Sequence, residues 1–214
     1  MAETNFEPPR RNGARPMIAI AGVSLAATLC AAVYGTMPDA RQFDTTSSLA
    51  TEFSDLRLRD QDDRPFDLTA VRGKVVLLNF VFTGCAATCP TQTRELAALQ
   101  EALPTSLRRD VRFVSVSVDP LGDTPAALRA YGRSAGADFS SWTFATGRPQ
   151  DIERLGERLR LFRDGAVPGR PEDHTTALWL LDGDGRLMQR YVDVDRPRLI
   201  QDLRQVRDLA ERSG

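Results

Sequence analysis

Residues 75–90 read Val75-Val76-Leu77-Leu78-Asn79-Phe80-Val81-Phe82-Thr83-Gly84-Cys85-Ala86-Ala87-Thr88-Cys89-Pro90. The first eight are apolar except Asn79, and a continuous apolar run of that length reads as a strand buried on both faces. Pro90 stands where proline favours a helix start. The two cysteines therefore lie in the turn between a buried strand and a helix N-terminus. Amide hydrogens and the helix dipole at such a place favour a thiolate, so a lowered pKa is expected, at Cys89 in particular. Two cysteines four apart across a turn can bring both sulfurs onto one ion or into one disulfide.

The elements around this stretch follow from its flanks. After Pro90, Leu96, Leu99 and Leu103 lie on one helical face, and Pro104 ends that helix. Val114, Val116 and Val118 alternate with Ser115 and Ser117, which predicts a second strand. Strand, helix and strand at this spacing make a βαβ unit with a parallel pair. Thr124-Pro125 opens another helix with Leu128 and Tyr131 facing inward. Residues 142–146 form a short strand, and Ile152, Leu155, Leu159 and Phe162 mark a third helix. Residues 176–181 and 187–192 form a hairpin about Asp182-Gly183-Asp184-Gly185, and a last helix spans about 197–210. Upstream, 53–58 and 64–68 read as a short hairpin. The order is that of an α/β thioredoxin-like fold with an N-terminal hairpin extension, although the cysteine spacing is C-x3-C and not the C-x2-C of thioredoxin.

The chain has one histidine. His174 follows a polar loop at 163–173 and directly precedes the strand expected from Thr175. In a thioredoxin-like fold that loop lies beside the cysteine loop. Cys85, Cys89 and His174 thus make a soft set of two thiolates and one imidazole, which suits copper, and zinc to a lesser degree.

Composition sets the outer limits. The chain has 214 residues, 42% hydrophobic and 27% charged, with a net charge of −1. This is one ordinary core with no basic face for nucleic acid. Three cysteines are too few for a disulfide scaffold. Arg10, Arg11 and Arg15 precede an uncharged apolar run at 17–34, long enough to cross a bilayer as one helix with its N-terminus in the cytoplasm. A cleaved signal peptide is the rival reading. Leu29 is bulky where a lipoprotein signal has a small residue, so Cys30 reads as an apolar membrane residue. The expected organisation is a cytoplasmic tail at 1–16, an anchor at 17–34, a linker at 35–52 and the folded domain at 53–214.

These residues resemble the Sco (SenC) family of copper proteins. The likeness rests on Gly73-Lys74 with 75–82, Thr83-Gly84-Cys85 to Cys89-Pro90, Val118-Asp119-Pro120 through Asp123-Thr124-Pro125, Trp142 with Thr146-Gly147, and His174 with Leu181-Asp182 and Gly185. It implies copper ligation by Cys85, Cys89 and His174, in an inner-membrane protein whose domain stands in the periplasm. It also implies a role at the binuclear copper centre of cytochrome c oxidase, by delivering copper or by reducing that centre's cysteines, or else a role in copper homeostasis or redox signalling, with other copper chaperones or thiol reductases as further partners. One departure is visible: Ala86 stands where the family usually has Pro. The family match points Asp119 and Asp123 toward a supporting or docking role, whereas their own sequence context reads as turn and N-cap chemistry.

Three activities compete for Cys85 and Cys89. A copper metallochaperone needs His174. A thiol-disulfide oxidoreductase uses the same redox pair without it. A peroxiredoxin needs Pro-x3-Thr-x2-Cys, and the threonine position holds Phe82 or Ala86, which excludes it.

Overall fold

The computed structural model describes residues 48–162, 165 and 170–213. The expected tail, the anchor at 17–34 and Cys30 lie outside them. Among the described residues no helix is long and apolar enough to cross a membrane.

The strand at the centre of the sequence reading is β3, Val75–Val81, and all of its residues are buried. Its side chains alternate between two cores. Val75, Leu77 and Val81 pack with Leu96 and Leu99 of α2 (Thr88–Ala102) and with Leu199 and Leu203 of α6 (Arg196–Ser213). Val76, Leu78 and Phe80 face the other way, toward Leu49 and toward Ile152 and Leu155 of α5 (Pro149–Arg158). A strand that serves two cores needs apolar residues at every position, which accounts for its unbroken run.

Seven strands form one sheet in the order β2 (Pro65–Phe66), β1 (Leu58–Asp60), β5 (Trp142–Gly147), β4 (Val111–Ser117), β3, β6 (Leu178–Leu181), β7 (Leu187–Tyr191). β3 runs parallel to β4 (Val111–Ser117), and β4 runs parallel to β5 (Trp142–Gly147). β6 (Leu178–Leu181) pairs antiparallel with β3 and with β7 (Leu187–Tyr191). Helix α4 (Pro125–Ser134) joins β4 to β5, with Thr124 as its cap. The expected βαβ core and closing hairpin are both present.

Several boundaries differ from the sequence reading. The N-terminal hairpin is β1 (Leu58–Asp60) with β2 (Pro65–Phe66), and β1 also pairs with β5. Phe53 and Leu56, expected in a strand, instead tuck into the core from a loop. Leu68 opens a 3-10 turn capped by Asp67. The end of the expected linker is folded: α1 (Leu49–Glu52) is capped by Ser48, and Leu49 and Ala50 are buried. Helix α5 stops at Arg158, so Phe162 lies beyond it and pairs through its backbone with His174. β6 begins at Leu178, leaving Thr175 and Thr176 outside the strand.

Candidate metal and thiol site

The cysteine loop turns tightly after β3. The Cys85 amide donates to the Phe82 carbonyl at 3.2 Å, and α2 begins three residues later at Thr88. The cap position of α2 is Ala87, which has no side-chain acceptor for the orphan amides of the first turn. The Cys85 sulfur fills that role: the Cys89 amide donates to it at 3.3 Å.

This geometry reverses the expectation for the two thiols. Burial opposes ionisation of Cys85, but the Cys89 amide, with help from Ala87 and Thr88, outweighs it and lowers the Cys85 pKa. Cys89 points into the core and is 2% exposed. Burial first, and then the neighbouring Cys85, pushes its thiol up to about 12. Here it is Cys85, across the turn, whose sulfur receives the Cys89 amide.

His174 arrives from the far side. Its backbone is bound through the Phe162 bridge, and the adjacent Thr175 amide donates to Leu161 O at 2.8 Å. The ring is 5% exposed and meets Phe82 edge to face with centroids 5.8 Å apart. Its Nδ1 is bonded to the Pro171 carbonyl. A carbonyl can only accept, so Nδ1 carries the proton. In the neutral ring Nε2 then presents a lone pair, and it stands 4.0 Å from Cys89 Sγ.

The structure thus brings Cys89 and His174 face to face, with Cys85 beside them on the helix amides. Among the described residues no three Cys, His, Asp or Glu side chains stand in the arrangement of a finished metal cage. Cys85 and Cys89 are both free thiols. An open groove lined by Ala87, Thr88, Gln92, Thr176, Val192 and Val194 runs alongside.

Asp119 and Asp123 divide the roles proposed for them. The Asp119 carboxylate accepts the Gly122 amide at 3.0 Å, which is turn chemistry. Asp123 is 4% exposed and is not a helix cap, since Thr124 holds that position. Its carboxylate accepts from Thr83 N at 3.1 Å, Thr83 Oγ1 at 2.5 Å and Ser117 Oγ at 2.6 Å. It braces the root of the cysteine loop. The Gln92 side chain, not singled out from the sequence, also touches the site. Its only signal there was a polar residue one turn after Cys89, on the face of α2 that carries Leu96 and Leu99.

A central strand that ends in a thiol pair, a helix opened by that pair, and an imidazole held beside it define a thioredoxin-like thiol protein equipped for a soft metal. The chain belongs to the SCO1/SenC family, whose model matches residues 44–208. It is 31% identical over 150 residues to the SCO1 protein homolog of Bacillus subtilis, covering 67% of this chain and 75% of that one. It superposes on Bradyrhizobium japonicum ScoI with copper bound at a TM-score of 0.59 and 26% identity, covering 71% and 96% of the two chains. It superposes equally on BsSco, described as a member of the Sco family of cytochrome c oxidase assembly proteins with a disulfide switch, at a TM-score of 0.60 and 28% identity, covering 72% and 91%.

Proposed function

We propose that this chain is a copper metallochaperone that holds one copper ion on Cys85, Cys89 and His174 and delivers it to the binuclear copper centre of cytochrome c oxidase. The observation that carries the reading is the His174 ring. A backbone carbonyl fixes its protonated nitrogen and leaves the other facing a cysteine sulfur, an arrangement that protein metal sites use to orient an imidazole ligand. Two sulfurs and one neutral nitrogen fit the donor preferences of copper. Bound copper is the cargo, and the thiolates keep it in a form that a cysteine-rich client can take over. The similarity to copper-bound ScoI supports the same reading.

His174→Ala in the full-length chain tests it. Two thiolates still suffice for Cu(I), whereas Cu(II) prefers nitrogen and oxygen donors. The variant should lose Cu(II) affinity strongly and Cu(I) affinity less, with little change in the disulfide potential. Unchanged Cu(II) affinity would remove His174 from the ligand set.

The contrast between the thiols favours a second reading, a thiol-disulfide oxidoreductase for that client's cysteines. Cys85 is the more exposed sulfur and receives the helix amides; Cys89 is buried behind it. In this reading the Cys85 thiolate attacks one sulfur of a client disulfide and expels the other as a thiolate. Cys89 then loses its proton and attacks Cys85, releasing the second client thiolate. The pair ends as a disulfide and the client as a dithiol, a two-electron exchange.

Either activity belongs outside the cytoplasm, on an inner-membrane anchor at residues 17–34. The three arginines ahead of that span orient it. A reporter active only in the cytoplasm, fused after Gly214, should be silent, and a bright fusion would reverse the topology.

A further inference from the structure

A line of buried hydrogen bonds crosses the sheet beneath the site. Trp142 Nε1 donates to Ser115 Oγ at 2.9 Å, and Ser115 Oγ donates to Asn79 Oδ1 at 2.6 Å. Asn79 Nδ2 donates to Gln92 Oε1 at 3.2 Å, and Gln92 Nε2 donates to the Thr176 carbonyl. The four side chains are between 0% and 7% exposed. The two ends fix the direction of the whole chain. An indole nitrogen can only donate and a carbonyl can only accept, so each amide between them has one satisfied orientation. Bonds aligned donor to acceptor in a dry interior polarise one another in the same sense.

The far end of this line is the informative one. Gln92 lies one turn after Cys89 on α2, and Thr176 lies two residues after His174. β6 does not begin until Leu178, so no sheet ladder holds residues 174–176 against α2. This segment is held by the Leu161 and Phe162 backbone on one side and the Gln92 amide on the other, with the Arg190 guanidinium donating to Thr175 Oγ1 at 3.1 Å and the Phe82 ring against His174. The first pair joins His174 to the end of α5. Two side chains of the helix reach the histidine segment: Cys89 Sγ stands 4.0 Å from the ring, and the Gln92 amide holds the backbone at Thr176.

We infer that Gln92 is a positioning residue for the metal site, the strut that sets the separation of Cys89 and His174. It acts through Thr176, and Asn79, Ser115 and Trp142 hold it in its single orientation. This inference rests on the reading of Cys89 and His174 as paired copper ligands.

The test compares wild type, Gln92→Met and His174→Ala as full-length chains. Methionine keeps the length and apolar volume of Gln92 and removes the donor and acceptor. Hydrogen exchange on the metal-free, reduced protein should show faster exchange at residues 174–177, with the β3, β4 and β5 amides protected as before. Cu(II) affinity should fall about tenfold or more, the usual cost of losing a group that orients a ligand. Cu(I) affinity and the disulfide potential, which lean on the sulfurs, should hold. If Gln92→Met does not fold, Gln92→Asn keeps the amide but is one methylene too short, and the same shifts are expected of it. Unchanged exchange at 174–177 overturns the inference. So does faster exchange spread evenly over the sheet, which would make Gln92 an ordinary core residue. The His174→Ala arm separates the two readings. If it leaves Cu(II) affinity intact, the ligand assignment fails; if it weakens Cu(II) while Gln92→Met does not, only the positioning role fails.

Discussion

The Asp123 carboxylate receives both the backbone amide and the hydroxyl of Thr83, two residues ahead of Cys85 and forty residues away in sequence. With Ser117 it forms a buried three-donor clasp at the end of β4. The parallel pairing of β3 and β4 brings the two loops together, and Asp123 locks them.

Removing that carboxylate leaves the half-buried Thr83 amide and the buried Ser117 hydroxyl without their acceptor. Asp123→Ala should cost about 1–3 kcal/mol, with more than the median effect because the acceptor is a carboxylate. Urea unfolding of the reduced, metal-free protein measures it. Asp123→Asn, which still accepts one bond, should fall between wild type and alanine. A loss below about 0.5 kcal/mol for Asp123→Ala would show that the clasp is not structural.

The two thiols should separate by reactivity. Cys85 is partly exposed with a lowered pKa, whereas Cys89 is buried and pushed up to about 12. Limited alkylation near pH 7 of the reduced, metal-free protein should label Cys85 first, as mass spectrometry of the peptides would show. Preferential labelling of Cys89 would contradict the geometry.

The same difference predicts a slope in stability with pH. Cys89 holds its proton in the folded state up to about 12, while an unfolded thiol releases it near 9.0. Between those values the folded state binds more protons, so stability falls as pH rises. The stabilising contribution is complete below pH 9 and is lost progressively above it. Cys89→Ala should flatten the alkaline limb, measured by chemical unfolding between pH 8 and 11. An identical limb in the variant would assign the slope to other groups.

Copper and a disulfide should exclude each other, since both use Cys85 and Cys89. The oxidised protein should lose stoichiometric copper binding and recover it on reduction. Titration of copper into the two forms reads this directly, and full-strength binding to the disulfide form would show that the sulfurs are not the ligands.

The fold of the central region was legible because β3 announces itself. A strand buried on two faces cannot alternate, and the turn after it carries two cysteines and a proline. The helix faces and the final hairpin followed from ordinary periodicity. The N-terminal edge was not legible. Leu49 and Ala50 are two adjacent apolar residues in a polar stretch, too short for any period, and only their docking in the core reveals them. At the site, residue types identified Cys85, Cys89 and His174 as candidates. Which thiol receives the helix amides depended on the direction of Cys89 within its turn, and sequence does not carry that. Gln92 was hidden for a different reason, and Asp123 was marked only by the family likeness, its own context reading as turn and N-cap chemistry. Their partners lie far away in the chain, and a lone polar residue gives no sign of a distant acceptor.

The backbone bridge between Phe162 and His174 has a consequence for how this family can diversify. It ties Phe162 to His174 through the backbone, with Leu161 O and Thr175 N as the second tie. Changes ahead of Pro171 leave these ties in place, but Pro171 must keep the carbonyl that holds His174 Nδ1. A lineage could thus vary the sequence ahead of Pro171 while keeping the two thiols and the imidazole, and an engineer could graft a recognition sequence there.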